Sequence, residues 1–150
     1  MIFDQLEFAR AKVIKLLEEI DEEKLRKTPT GFNNHILWNA GHIYAVQEGL
    51  TFGVTKQQTK QLEELKLLFG GGTKPADWTK SPPSLEELVS LLKEQPERIR
   101  HTFTNRLDEK IEKPLSFPGL TLATVEDLLS FSLLHEGMHI ETMKLYSKIV

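Results

Sequence analysis

Apolar residues recur at helical spacing in four segments of the chain, and in none do they alternate with polar residues over the length of a strand. In the first, Phe3, Leu6, Ala9, Val13, Leu16, Leu17 and Ile20 advance in steps of mostly three and four with charged residues between them. This predicts an amphipathic helix with one buried stripe. The stretch "TPTGFN", carrying Pro29 and Gly31, interrupts the pattern. Ile36, Ala40, Ile43 and Gln47 then mark one side of a second helix, and Trp38, His42 and Ala45 an adjoining side.

Residues 50 to 83 are the least regular part. A short helical piece, "KQLEELKLLF", is followed by "GGGTKPADWTKSPPS", whose three glycines and three prolines exclude a continuous helix. So long a connection predicts a crossover between helices two and three, or a lid over a site. The third helix has an explicit start, because Ser84 with Glu87 three residues later forms a capping box. Leu85, Leu88, Leu91, Leu92 and Ile99 supply its apolar face. The segment "EKIEKPLSFPGL" reads as a loop, extended around its two prolines. A fourth helix opens at Thr121 or Thr124, with Glu126 and Asp127 in its first turn, and runs through Leu128, Phe131, Leu134, Met138 and Tyr146. The expected fold is all-α: a single domain over residues 1–150, a four-helix bundle with a long crossover connection between helices two and three.

Composition changes this picture mainly by exclusion. Acidic residues number 22 against 19 basic ones, for a formal charge of −3, and no stretch concentrates Lys and Arg. Nucleic acid and anionic membranes are therefore not expected as partners. No run of about 18 apolar residues suggests a membrane span, and the N-terminus lacks the pattern of a signal peptide, so a cytoplasmic location is expected. The absence of cysteine removes disulfides, thiolate metal sites and cysteine nucleophiles together.

Any metal must then use nitrogen and oxygen ligands, and five histidines are available, at 35, 42, 101, 135 and 139. "HEGMH", residues 135 to 139, spells the HExxH of zinc peptidases. Histidines four apart on a helix differ by about 40° in direction and about 6 Å in height, so both can reach one ion. A peptidase of that kind needs a third ligand downstream, where this chain has no histidine, and a strand edge to hold peptide. Glu141 is turned about 200° from His139. The third ligand must come from upstream, and His42, beside Trp38 and Gly41, is the best placed. A histidine on such a face is also at home as a hydrogen-bonded core residue, so the residues alone leave the site open. His35 lies about 10 Å from His42 along the helix; it could line a site but not share the ion.

The segment "GFNNHILWNAGHI", with Trp38 four residues before His42, together with the terminal "LLHEGMHIETMKLY", resembles the DinB-like superfamily of bacterial metal-binding four-helix bundles. The resemblance covers nearly the whole chain. It implies a divalent ion held by His42, His135 and His139, with water or substrate completing the sphere. Zinc or nickel is expected first, with iron or manganese as further candidates. The superfamily includes S-transferases that use low-molecular-weight thiols, so the resemblance implies a small-molecule substrate and a thiol as partner. Members often carry a Gly-Gln pair after the last ligand where this chain has Glu141 and Thr142, which bears on packing and on a possible homodimer.

Three neutral imidazoles leave an ion its full double charge, so a thiol or water at its open position would lose its proton more readily. The expected function is a metal-dependent enzyme acting on a small electrophile, S-transferase-like. Its alternatives are a non-catalytic metal-binding or stress-response dimer module and, third, a hydrolase of the HExxH type. Glu136, the general base of that third reading, points about 100° from His135 and is expected to face a neighbouring helix or solvent. Asn39 and Asn34 could orient a histidine or cap helix two, Trp38 belongs to the core, and Trp78 is the aromatic expected to cover a pocket.

Overall fold

The computed structural model describes residues 1–150. It is mostly helical: α1 (Ile2–Glu19), a single turn α2 (Glu22–Leu25), α3 (Ile36–Glu48), α4 (Leu62–Phe69), α5 (Leu85–Phe103) and α6 (Val125–Ser147), with a small two-stranded sheet, β1 (Lys110–Phe117) and β2 (Leu120–Thr124). The four long helices pack in a closed set, α1 against α5 and α6, and α3 against the same two. No helix is long and apolar enough to cross a membrane.

The stripe foreseen on α1 is buried as Phe3, Leu6, Ala9, Val13 and Leu17, and it also buries Arg10. Val13, Leu17, Leu37, Ala40, Ile43, Leu88, Leu92, Ile140 and Met143 belong to one large core, while Phe3, Leu6, Phe52, Ile99, Phe103, Val125 and Leu129 form a second. Each fully buried Leu or Phe contributes about 1.5 to 3 kcal/mol, so these clusters dominate what holds the helices together. Ser84 and Thr124 both build reciprocal caps, with Glu87 and Asp127. Of the two starts expected for the last helix, Thr124 is therefore the one used.

The all-α expectation needs correcting at residues 110 to 124. The segment whose sequence reads as a loop is an antiparallel hairpin in which Leu115 pairs with Leu122 and Phe117 with Leu120. Pro118 and Gly119 make its turn, and Gly119 has the positive φ of 82° that such a turn asks of glycine. Ile111 and Leu122 pack with Leu128 of α6 in a small core of their own. The alternation was present in the sequence as Leu115, Phe117, Leu120 and Leu122, but Pro114 and Pro118 masked it. The register shifts between Lys110 and Leu115, which brackets Pro114.

The connection from α3 to α5 is ordered, not slack. It continues α3 as a π-helical turn (Gly49–Gly53), then forms α4 and a 3-10 turn (Pro75–Asp77). Fully buried Glu48 fastens it by accepting from the Lys60 N–H at 2.9 Å, and from Arg98 at 3.0 and 2.7 Å. At α4's far end Phe69 lies flat against Gly41: a Cβ there would meet the ring at 2.4 to 2.5 Å.

Candidate metal centre

α3 and α6 run side by side, and His42 on the first faces His135 and His139 on the second. The start of α3 is fixed by His35, whose Nδ1 accepts the Trp38 N–H at 2.9 Å. Neither Asn34 nor Asn39 is the cap. Asn39 instead donates through Nδ2 to the His35 carbonyl at 2.9 Å, which leaves its Oδ1 facing His139 Nδ1 at 2.7 Å. An amide oxygen only accepts, so His139 carries its proton on Nδ1 and keeps the lone pair on Nε2.

His42 is held the same way by a different element. Its Nδ1 donates to the Phe69 carbonyl at 2.7 Å, at the end of α4. His42 Nε2 then points at His135 Nε2, 3.1 Å away. One ring nitrogen from each of His42, His135 and His139 falls within 4.8 Å of the others. The edge of a tetrahedron of nitrogens about 2.0 Å from an ion is about 3.3 Å, so small adjustments would seat one.

Burial pushes all three imidazoles toward the neutral form. His42 lies below its ordinary value chiefly through burial, against the raising effect of the Phe69 carbonyl. His135 is lowered to about 4 by burial and then by the nearby His42. His139 is lowered to about 3 by burial and then by His135 and His42. At neutral pH the cluster therefore presents lone pairs, the state a metal requires. Together with acceptors on two of the Nδ1–H groups, which raise ligand basicity and fix ring orientation, the donor set fits a divalent ion with an open position.

The surrounding residues divide by element. Trp38 stacks on His42 with ring centres 4.6 Å apart and planes 12° from parallel, and its Nε1 donates to Thr73 Oγ1 at 3.0 Å. Trp78 donates to the Leu68 carbonyl at 2.8 Å and sets an edge against His35 and Phe69. Both tryptophans tie the connection to α3 beside the histidines. His35, buried, serves the helix cap and stays outside the cluster. Exposed His101 is outside it too.

Glu136 faces a neighbouring helix: it is 1% exposed, and its oxygens meet Arg10 Nε at 2.7 Å and Gln47 Nε2 at 3.5 Å instead of the histidine nitrogens. Glu141 is paired at the surface with Lys144. Two contributors escaped the sequence reading. The Phe69 carbonyl has no signature, because any residue could supply it. Arg10 did leave one: it sits four residues after Leu6 and three before Val13, inside an apolar stripe.

The sequence model of the DinB superfamily matches residues 5–143, a span that contains all three histidines. No functionally curated protein matches the chain.

Proposed function

The chain belongs to the DinB superfamily, and on that premise we propose that His42, His135 and His139 hold one divalent ion, zinc or nickel first, for chemistry on a small electrophilic substrate. The superfamily's four-helix bundle, with residues 50 to 83 as its crossover, would be the frame. What carries the reading is the convergence of three neutral imidazoles, two of them oriented by acceptors from different elements, with no fourth protein ligand. Structural zinc sites are normally closed by four protein ligands, and this one offers three.

When bound, such an ion supplies Lewis acidity that lowers the pKa of a thiol or water. The chain's own residues would bind and orient it. Asn39 and the Phe69 carbonyl hold ring protons at Nδ1 and so keep Nε2 free. Trp38 covers one face of His42 and limits the approach of water from that side. Because the chain has no cysteine, a thiol nucleophile must come as a cosubstrate, which favours a low-molecular-weight thiol. Glu136 is engaged by Arg10 and is not free to serve as a general base.

The test is metal content and affinity of the purified protein beside His42→Ala, His135→Ala and His139→Ala, followed by thiol consumption with a panel of electrophiles, with and without chelator. Loss of stoichiometric metal in all three variants is expected. Full retention in His42→Ala would end the three-histidine assignment. Metal binding without metal-dependent thiol turnover would favour a non-catalytic binding module.

A further inference from the structure

Four polar side chains from three helices meet in the interior beside the histidine cluster. Arg10 of α1, 1% exposed, donates Nε to Glu136 Oε1 of α6 at 2.7 Å, Nη2 to Gln47 Oε1 of α3 at 2.7 Å, and Nη1 to the Leu92 carbonyl of α5 at 2.8 Å. Gln47 Nε2 in turn donates to Ser132 Oγ of α6 at 3.1 Å. The Leu92 carbonyl is the one that Pro96, four residues later inside α5, cannot satisfy, because proline has no N–H. Arg10 therefore touches all four long helices and fills a vacancy in one of them.

A buried ion pair is weak evidence for stability, since apolar replacements of similar size are often neutral or better. Its best-attested use is to specify register. On α6 that need is visible. Glu136 points inward, while Leu134, Met138 and Leu145, at 61%, 57% and 61% exposure, lie on the opposite side, roughly 160° to 200° around the helix. Between Ser132 and Met143 the inward face carries the polar Ser132 and Glu136 beside Ile140 and Met143, and the outward one carries Leu134 and Met138 beside Glu141. Over this stretch burial of apolar area separates the two rotations only weakly, the observed one being favoured mainly by Val125, Leu128, Leu129 and Tyr146 toward the ends of the helix. Glu136 follows His135 directly, and Gln47 follows His42 by five residues, so the polar contact that selects the rotation also sets how the histidines meet.

We infer that Arg10, Gln47 and Glu136 are positioning residues: they hold α6 in the rotational phase that brings His135 and His139 to His42, and so set metal affinity without touching the ion. This rests on the three-histidine reading of the site. It assigns the Glu of "HEGMH" a role through Arg10 in place of proton transfer.

The test is an apolar hub, Arg10→Met/Gln47→Leu/Glu136→Leu with Pro96→Ala to return an N–H to Leu92. Helical content and thermal midpoint are expected to be kept or raised, whereas affinity for zinc, by competition with a chromophoric chelator, falls at least tenfold, as loss of supporting groups around a metal typically does. A readout independent of metal is Met138→Cys, the only thiol in the protein: its maleimide labelling is expected to slow in the apolar-hub background as α6 turns inward. Wild-type affinity and wild-type labelling in a folded apolar hub overturn the inference. Should the fourfold variant fail to fold, Glu136→Gln, which keeps the size of the side chain and removes the charge that Arg10 meets on α6, carries the same comparison. If the wild-type protein binds no zinc while labelling still slows, the positioning of α6 stands and the metal reading is what fails.

Discussion

Asn39 occupies a single turn of α3 between two histidines with different tasks, taking the proton side of His139 with its oxygen and the His35 carbonyl with its nitrogen. The second bond is what prevents the amide from turning over and offering His139 a donor. Asn39→Leu should leave the helix intact, since His35 supplies the cap, yet weaken metal binding by about 10- to 100-fold. Asn39→Asp, which still accepts from Nδ1–H, should recover most of that loss. Competition titration with a chelator measures both; equal affinity for wild type and Asn39→Leu would remove Asn39 from the site. The sequence could place Asn39 near His42 but could not say which histidine it serves, because its partner lies 100 residues away.

Helix α3 owes its use to a side chain it lacks. Gly41 lets the Phe69 ring lie against the backbone, and the same residue presents its carbonyl to His42. In an open helix, Gly→Ala would gain about 1 kcal/mol. Here the added methyl meets aromatic carbons at 2.4 to 2.5 Å, and overpacking of that kind costs about 1 to 3 kcal/mol. Gly41→Ala is thus expected to lower stability in chemical denaturation and, by shifting the Phe69 carbonyl, to weaken metal binding. Adding Phe69→Leu should return part of the stability. A glycine inside a helix marks a place where another element can come close; that the element is α4 in the connection, and not another long helix, is decided by the fold. The hairpin was missed for a comparable reason, its alternation being interrupted by two prolines that the fold accommodates at a register shift and a turn.

For the molecule as a whole, buried neutral imidazoles link folding to pH. His35 and His135 sit at about 4 and His139 at about 3, each lowered mainly by burial from an ordinary value of 6.5, and His42 is lowered as well. Between 6.5 and 4 the unfolded chain binds more protons than the native one, so stability rises with pH across that window. The contribution is complete above about 6.5 and is lost as pH falls toward 4. The metal-free protein should lose on the order of a few kcal/mol between pH 7 and pH 5, above the range where most carboxylates titrate. His35→Asn, which keeps a capping side chain, should flatten the slope by one group. Thermal midpoints at several pH values check this; a flat profile would mean that these histidines are hydrated.

Local sequence determined the four long helices, the cap at Ser84, two candidate starts for the last helix, and which histidines share a face, because it fixes the direction of every side chain around a helix axis. It also showed that any ion would need nitrogen or oxygen ligands, since cysteine is absent. Tertiary structure decided the rest: that His42 meets His135 across 93 residues, that the carbonyl ending α4 and an asparagine set the tautomers, and that Glu136 belongs to Arg10. Those outcomes depend on how α6 is rotated against its neighbours, which the buried apolar residues of its inward face and the contact of Glu136 with Arg10 set together.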